Sequence, residues 1–180
     1  MQDLDQFRQE VLQWLEDNCP DSQRQPITPQ EQYWGGRRGS FPSEDARLWY
    51  ERMRTKGWIA PEWPTEYGGG GLSDQEARVI KQEMKRLGAR TPLYGIGLWM
   101  LGAALLEYGN EAQKQQHIPA IINGETRWAQ GYSEPGAGSD LASLQCKAED
   151  MGDHFLVNGS KIWTTAADKC DWIFCLVRTD

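Results

Sequence analysis

The chain has 180 residues and a formal net charge of −7, room for one good core or for one domain and part of another, since domains run to about 100–200 residues. The acidic balance excludes a nucleic-acid partner, whose affinity rests on clustered Lys and Arg. The four cysteines form no CxxC pair and the two histidines, His117 and His154, lie far apart, so metal-site spacing is absent; with no signal peptide at the N-terminus, the thiols are read as reduced and the protein as cytoplasmic.

The first two-thirds reads as helices. Leu4, Phe7, Val11, Leu12 and Leu15 recur on one helical face, with Pro20 soon after. Residues 18–42 carry prolines and glycines with little periodicity and are read as a loop. Ser43 is placed to cap a second helix with Ala46, Trp49, Tyr50 and Met53 on one face and Gly57 at its end. After the turn chemistry of "WPTEYGGGGLS", Ser73 and Glu76 form a capping box opening a third helix along Ala77, Ile80, Met84 and Leu87.

Thr91 and Pro92 suit the cap and first turn of a fourth helix, apolar on every side and therefore expected to be a core helix. Its apolar run is too short for a membrane span, which takes about 20 residues. Asn110 is expected to cap a fifth helix bounded by Pro119 and Gly124. Beyond Gly124 the periodicity changes: Asn158-Gly159 within "FLVNGSKIW" signals a two-residue hairpin turn, and "WIFCLV" (172–177) is an apolar run of strand length. The predicted fold is α+β and multidomain: an all-α domain over residues 1–125, then over 126–180 the start of a mostly antiparallel β-barrel or sandwich domain.

The stretch "GYSEPGAGSD" (131–140) combines small residues with two serine hydroxyls and two carboxylates. It is not a dinucleotide fingerprint, because Leu141 stands where the third glycine belongs and strands follow, and no Gly-Lys-Ser/Thr closes it as in a P-loop. Alone, its Pro-Gly and Gly-Ser dipeptides are turn chemistry. Trp163 alone is a core or hairpin aromatic, and His117 and His154 read as surface residues.

The ordered set "PTEYGG", "YSEPGAGSDL" and "NGSKIWTT" resembles the acyl-CoA dehydrogenase family over essentially the whole chain. The resemblance implies FAD as cofactor, and oxidation of an acyl-CoA thioester to the trans-2-enoyl-CoA with electron-transferring flavoprotein as usual acceptor. An acyl-CoA oxidase of the same fold is a further reading. Carried over by motif, the Gln130 carbonyl faces flavin N3. The Tyr132 and Ser133 amides meet the C2 carbonyl with the Ser133 hydroxyl near N1, and the Ser139 hydroxyl reaches the pyrophosphate and the substrate side. Thr165 contacts N5 and C4=O, with a one-residue ambiguity against Thr164, and Trp163 packs on the ring system. Donors preorganised where negative charge develops act as an oxyanion hole does, and glycines let backbone amides approach a diphosphate without a basic side chain. Glu134 and Asp140 are expected to turn away and bond backbone groups, and the helix around 95–102 to line the acyl pocket.

Family members run to roughly twice this length, with a C-terminal helical bundle that supplies the catalytic carboxylate in most branches and much of the oligomer interface. The sequence therefore reads as part of a larger homo- or hetero-oligomeric enzyme, inactive as 180 residues, with no catalytic base assigned here. A non-catalytic FAD- or acyl-CoA-binding subunit of a heteromeric dehydrogenase is the alternative.

Overall fold

The computed structural model describes residues 3–180. Helix α1 (Leu4–Asn18) starts where the Asp3 carboxylate accepts the Asp5 amide at 3.0 Å, satisfying one orphan donor of the helix start. It buries Phe7, Val11 and Leu15, while Leu12 is only partly covered. Helix α2 (Glu44–Thr55) opens at Ser43, whose hydroxyl accepts the Ala46 amide, and α3 (Asp74–Leu87) at the reciprocal Ser73–Glu76 box. Their inward faces close one core around Trp49, Met53, Val11, Leu15 and Ile80. Polar edges are paired: the Trp49 indole donates to the Arg90 carbonyl at 2.9 Å. Glu83, 3% exposed, lies between Arg8 at 2.6 Å and Arg86 at 2.7 Å. A lone buried carboxylate is costly, and two guanidiniums reaching in from the surface offset that cost.

The fourth helix departs from its sequence reading. Thr91 and Pro92 do not open it: the Tyr94 amide is held by the Tyr33 carbonyl at 2.8 Å, and helix begins only with a π turn at Gly97–Leu101 that continues as α4 (Gly102–Tyr108). A π turn accommodates one extra residue, and Gly102 lies against the Trp63 ring with no space for a Cβ. Nor is the helix buried all round, since Trp99 is 56% and Tyr108 80% exposed. Helix α5 (Glu111–Ile122) is capped by Asn110 with a Gln113 box, and it runs through Pro119 instead of ending there. An interior proline costs about 3 kcal/mol; burial of Ile118, Ile121 and Ile122 offsets it.

The β half holds two separate two-stranded pairs. β1 (Trp128–Gly131) pairs in parallel with β4 (Trp172–Cys175), Trp128 opposite Trp172 and Gly131 opposite Cys175. β2 (Lys147–Asp150) pairs antiparallel with β3 (Phe155–Asn158), Lys147 opposite Asn158. One pair thus has the expected antiparallel sense and the other does not. The hairpin turn falls at residues 151–154, with the Met151 amide on the His154 carbonyl at 2.9 Å and Gly152 at φ +94°. Asn158-Gly159 is therefore not the turn. Gly159 serves close approach instead, since a Cβ there would stand 2.8 Å from the Cys146 Cα.

The halves meet at a polar clasp. The Asp171 carboxylate, at the foot of β4, accepts the amides of Arg127 at 2.8 Å and, across the halves, of Arg37 at 3.1 Å; within the helical half the neighbouring Gly36 amide reaches the Gly124 carbonyl at 2.8 Å. Beside it His117 stands edge-on to Trp128 and Trp172, at 5.2 and 5.7 Å between centroids. His117 is thus half-buried, contrary to its surface reading, and burial lowers its pKa. His154 is exposed beside Asp153. No helix among the described residues is long and apolar enough to cross a membrane.

Candidate functional site

Two segments far apart in sequence come together at the C-terminal end of β1. The Ile162 amide donates to the Ser133 carbonyl at 2.8 Å, and the Lys161 ammonium donates to the Tyr132 carbonyl at 3.0 Å. Gln130, Tyr132 and Ser133 are thereby set beside the segment carrying Trp163 and Thr165. In the parallel ladder the Arg127 and Gly131 carbonyls accept from Trp172 and Leu176. Backbone groups alternate along a strand, so the Gln130 carbonyl points to the opposite, open edge. Among the described residues no acceptor meets the amides of Tyr132 and Ser133. The Tyr132 ring packs edge-on against Phe174 at 5.3 Å, and burial raises its phenol pKa.

The loop that follows is pinned from within. The Glu134 amide and carbonyl exchange hydrogen bonds with Ala137 at 2.8 and 3.1 Å. The Glu134 carboxylate, 6% exposed, accepts the Gln145 amide at 2.6 Å, the Cys146 amide at 2.9 Å and the Lys161 ammonium at 2.8 Å. That ammonium, then the backbone donors, hold its pKa down at about 2. Glu134 does turn away to bond backbone. Asp140 does not: its carboxylate has no partner among the described residues, and only its backbone carbonyl is engaged, accepting the Ser143 hydroxyl at 2.8 Å. The crown of the loop is left open: a Cβ on Gly136 would meet nothing within 4 Å, and one on Gly138 only the Trp163 ring at 3.8 Å. Ser139 is exposed, and the amides of residues 138–140 meet no acceptor among the described residues.

Trp163 is 81% exposed and sits at φ +54°, in the left-handed region. That conformation costs an L residue roughly 1–2 kcal/mol, and strain of this kind gathers at ligand sites. Thr165 is exposed in the next turn and Thr164 is half-buried, its carbonyl accepting the Ala167 amide at 3.3 Å. The helical half adds an apolar cavity of about 270 Å³ bounded by Trp58, Trp63, Met84, Leu93, Leu98 and Trp99, with the Lys81–Glu62 pair at its rim. The four cysteines are free thiols, and no group of His, Cys, Asp or Glu among the described residues could hold a metal.

The chain matches the family model of the acyl-CoA dehydrogenase N-terminal domain over residues 2–125 and that of the acyl-CoA dehydrogenase middle domain over residues 129–180. It belongs to the acyl-CoA dehydrogenase family. It is 37% identical to acyl-CoA dehydrogenase IpdE1 of Mycobacterium tuberculosis over 180 residues, all of this chain and 46% of that protein. Among solved structures it resembles the Tcur3481-Tcur3483 steroid ACAD, with 36% identity, a TM-score of 0.67, and 98% of this chain and 43% of that one covered. The ChsE4-ChsE5 complex from Mycobacterium tuberculosis gives 29% identity and a TM-score of 0.68 over 100% of this chain and 43% of that one. The chain thus spans about half the length of the relatives it matches.

Acyl-CoA dehydrogenases are FAD-dependent flavoproteins, and what this acyl-CoA dehydrogenase chain offers at the site suits such a group. Unpaired amides at 132, 133 and 138–140 can meet carbonyl and phosphate oxygens, glycines without neighbours leave room for close approach, and an exposed indole can cover a planar ring. Sequence reasoning missed Lys161 and Ser143, which hold these groups in place. Ser143 sits three residues after Asp140, a spacing that signals a local hydroxyl–carbonyl bond. Lys161 carries no such local signal, because both its acceptors lie more than 25 residues away.

Proposed function

We propose that this chain forms one wall of the FAD site of an acyl-CoA dehydrogenase that oxidises an acyl-CoA thioester to the trans-2-enoyl-CoA. The observation that carries this reading is the convergence of the unpaired Tyr132 and Ser133 amides with the 161–165 segment below an open glycine loop. Residues 1–125 serve as the helical domain and 126–180 as part of the middle β domain. Bound FAD supplies the hydride acceptor. The chain's own residues orient and polarise it: the Gln130 carbonyl takes a ring N–H, while the Tyr132 and Ser133 amides and the Ser133 hydroxyl stabilise the charge that reduction builds at N1 and C2=O. Ser139 binds the pyrophosphate and borders the substrate, Thr165 directs its hydroxyl and amide at N5 and C4=O, and Trp163 packs on the ring.

No residue here takes the part of the base. α-Proton removal needs a carboxylate within hydrogen-bond reach of the substrate; of the two acids in the loop, Glu134 is committed to Lys161 and two amides, and the exposed Asp140 follows Ser139 on the side assigned to the pyrophosphate. The acyl group lies along the helix through 95–102, electron-transferring flavoprotein or a similar acceptor takes the electrons, and the protein works in the cytoplasm as an oligomer. Two of the similar structures, the Tcur3481-Tcur3483 steroid ACAD and the ChsE4-ChsE5 complex, are each named for two different components. This favours a heteromeric enzyme and a bulky polycyclic acyl group.

The test is anaerobic reduction of the FAD-loaded protein by a panel of straight-chain and polycyclic acyl-CoAs. Flavin bleaching with enoyl-CoA formation is the expected result, and the 180-residue chain alone is expected to show none. Flavin bleaching with enoyl-CoA formation by that chain would place a base within it.

A further inference from the structure

The Lys161–Glu134 pair is a buried ion pair whose two side chains are 8% and 6% exposed. Burying an ammonium and a carboxylate costs more desolvation than an apolar pair of similar volume, so such a pair is poor evidence for stability alone. Its geometry indicates a different use. Lys161 divides its donors between Glu134 Oε1 at 2.8 Å and the carbonyl oxygen of Tyr132 at 3.0 Å. That carbonyl belongs to the same peptide unit as the Ser133 N–H, which has no acceptor among the described residues. An ammonium on the oxygen of a peptide withdraws electron density from its nitrogen, and hydrogen bonds in series strengthen one another in a low-dielectric site.

We propose that Lys161 is a positioning residue that polarises the Tyr132–Ser133 peptide, so that the Ser133 amide holds reduced flavin in preference to oxidised flavin. Glu134 sets the strength of that polarisation by sharing the ammonium. The proposal rests on the reading that the Ser133 amide faces the flavin C2 carbonyl. It assigns work to two residues outside the group that touches the cofactor, and it accounts for the retention of a charged pair where an apolar one would pack.

The two charges make the proposal testable by sign. Removing the ammonium weakens the Ser133 donor, whereas removing the Glu134 charge leaves the whole ammonium to the Tyr132 carbonyl and strengthens it. A mere structural clamp, broken from either side, does not move the flavin equilibrium in opposite directions.

The experiment is a reductive titration of the FAD-loaded protein against reference dyes, with far-UV circular dichroism of each variant. Lys161→Gln is expected to reduce the preference for reduced flavin about tenfold, a fall of about 30 mV for a two-electron couple. Lys161→Arg, which keeps charge and donors, is expected to stay within about threefold of wild type. Glu134→Gln is expected to shift the potential upward. Potentials that move in the same direction in Lys161→Gln and Glu134→Gln, or that do not move, overturn the proposal. Should Lys161→Gln fail to fold, Glu134→Gln decides by its sign, with Lys161→Arg as the charge-retaining control. A wild-type protein that takes up no FAD overturns the underlying reading of the site as well, whereas FAD uptake with unmoved variants overturns the role of Lys161 alone.

Discussion

The helical half and the β half are built on opposite terms. In the first, Trp49, Leu15 and Met53 are fully buried, and the helix starts are capped by Asp3, Ser43, Ser73 and Asn110. In the second, β3 is exposed along its length, with Phe155 at 56%, Leu156 at 47% and Val157 at 50%, and Trp163 stands almost free. A region that buries its apolar side chains spends its sequence on stability. One that leaves apolar side chains and backbone donors uncovered spends it on surfaces that something else must meet. Substitutions in the first should therefore cost folding, and those in the second should cost chemistry.

The largest effect is expected from Trp49→Ala, which empties the centre of the helical core and leaves the Arg90 carbonyl without its indole donor. A loss of about 3–5 kcal/mol is expected from denaturant unfolding. A loss below about 1 kcal/mol would mean that the helical half is not the stabilising unit. Next comes Thr165→Val, which should slow flavin reduction by about 3 kcal/mol of transition-state stabilisation while leaving FAD bound and stability unchanged. Anaerobic stopped-flow reduction measures it, and an unchanged rate constant moves the contact to Thr164 or removes it.

Acid should separate the halves further. The Glu134 pKa is depressed in the fold to about 2, so its contribution is fully present above the ordinary carboxylate value and is lost as pH falls from there toward about 2. Unfolding curves taken between pH 5 and pH 2 should lose that segment of pH dependence in Glu134→Gln, and an unaltered profile would show that the carboxylate is not paired in solution. Ser73→Ala, which removes the α3 box, should cost about 1 kcal/mol in denaturant melts. The smallest effect is expected for Phe155→Ser on the open strand: within about 0.5 kcal/mol in folding, with less light scattering by the isolated chain. A destabilisation like that of Trp49→Ala would mean that the β half has a core of its own.

The sequence by itself determined the features that rest on local bonds. Helices α1, α2 and α3 form where the apolar period and the caps put them, because capping links and helical hydrogen bonds span three or four residues and are written in adjacent letters. The strand from Trp172 was legible as a run of β-forming residues, and the motif set around 131–140 and 158–165 was legible as a family pattern. Tertiary structure decided everything that rests on non-local neighbours. The fourth helix starts late because Tyr33 holds Tyr94 and because Gly102 must pass beneath Trp63. Asn158-Gly159 is no hairpin turn because Cys146 crowds Gly159, and the turn falls at Gly152. Pro119 is tolerated because its helix is pinned by buried isoleucines. Above all, the partners of Lys161 and Glu134 lie in segments that meet only after folding: a charge's neighbours are set by which segments pack together, and spacing along the chain carries no record of that.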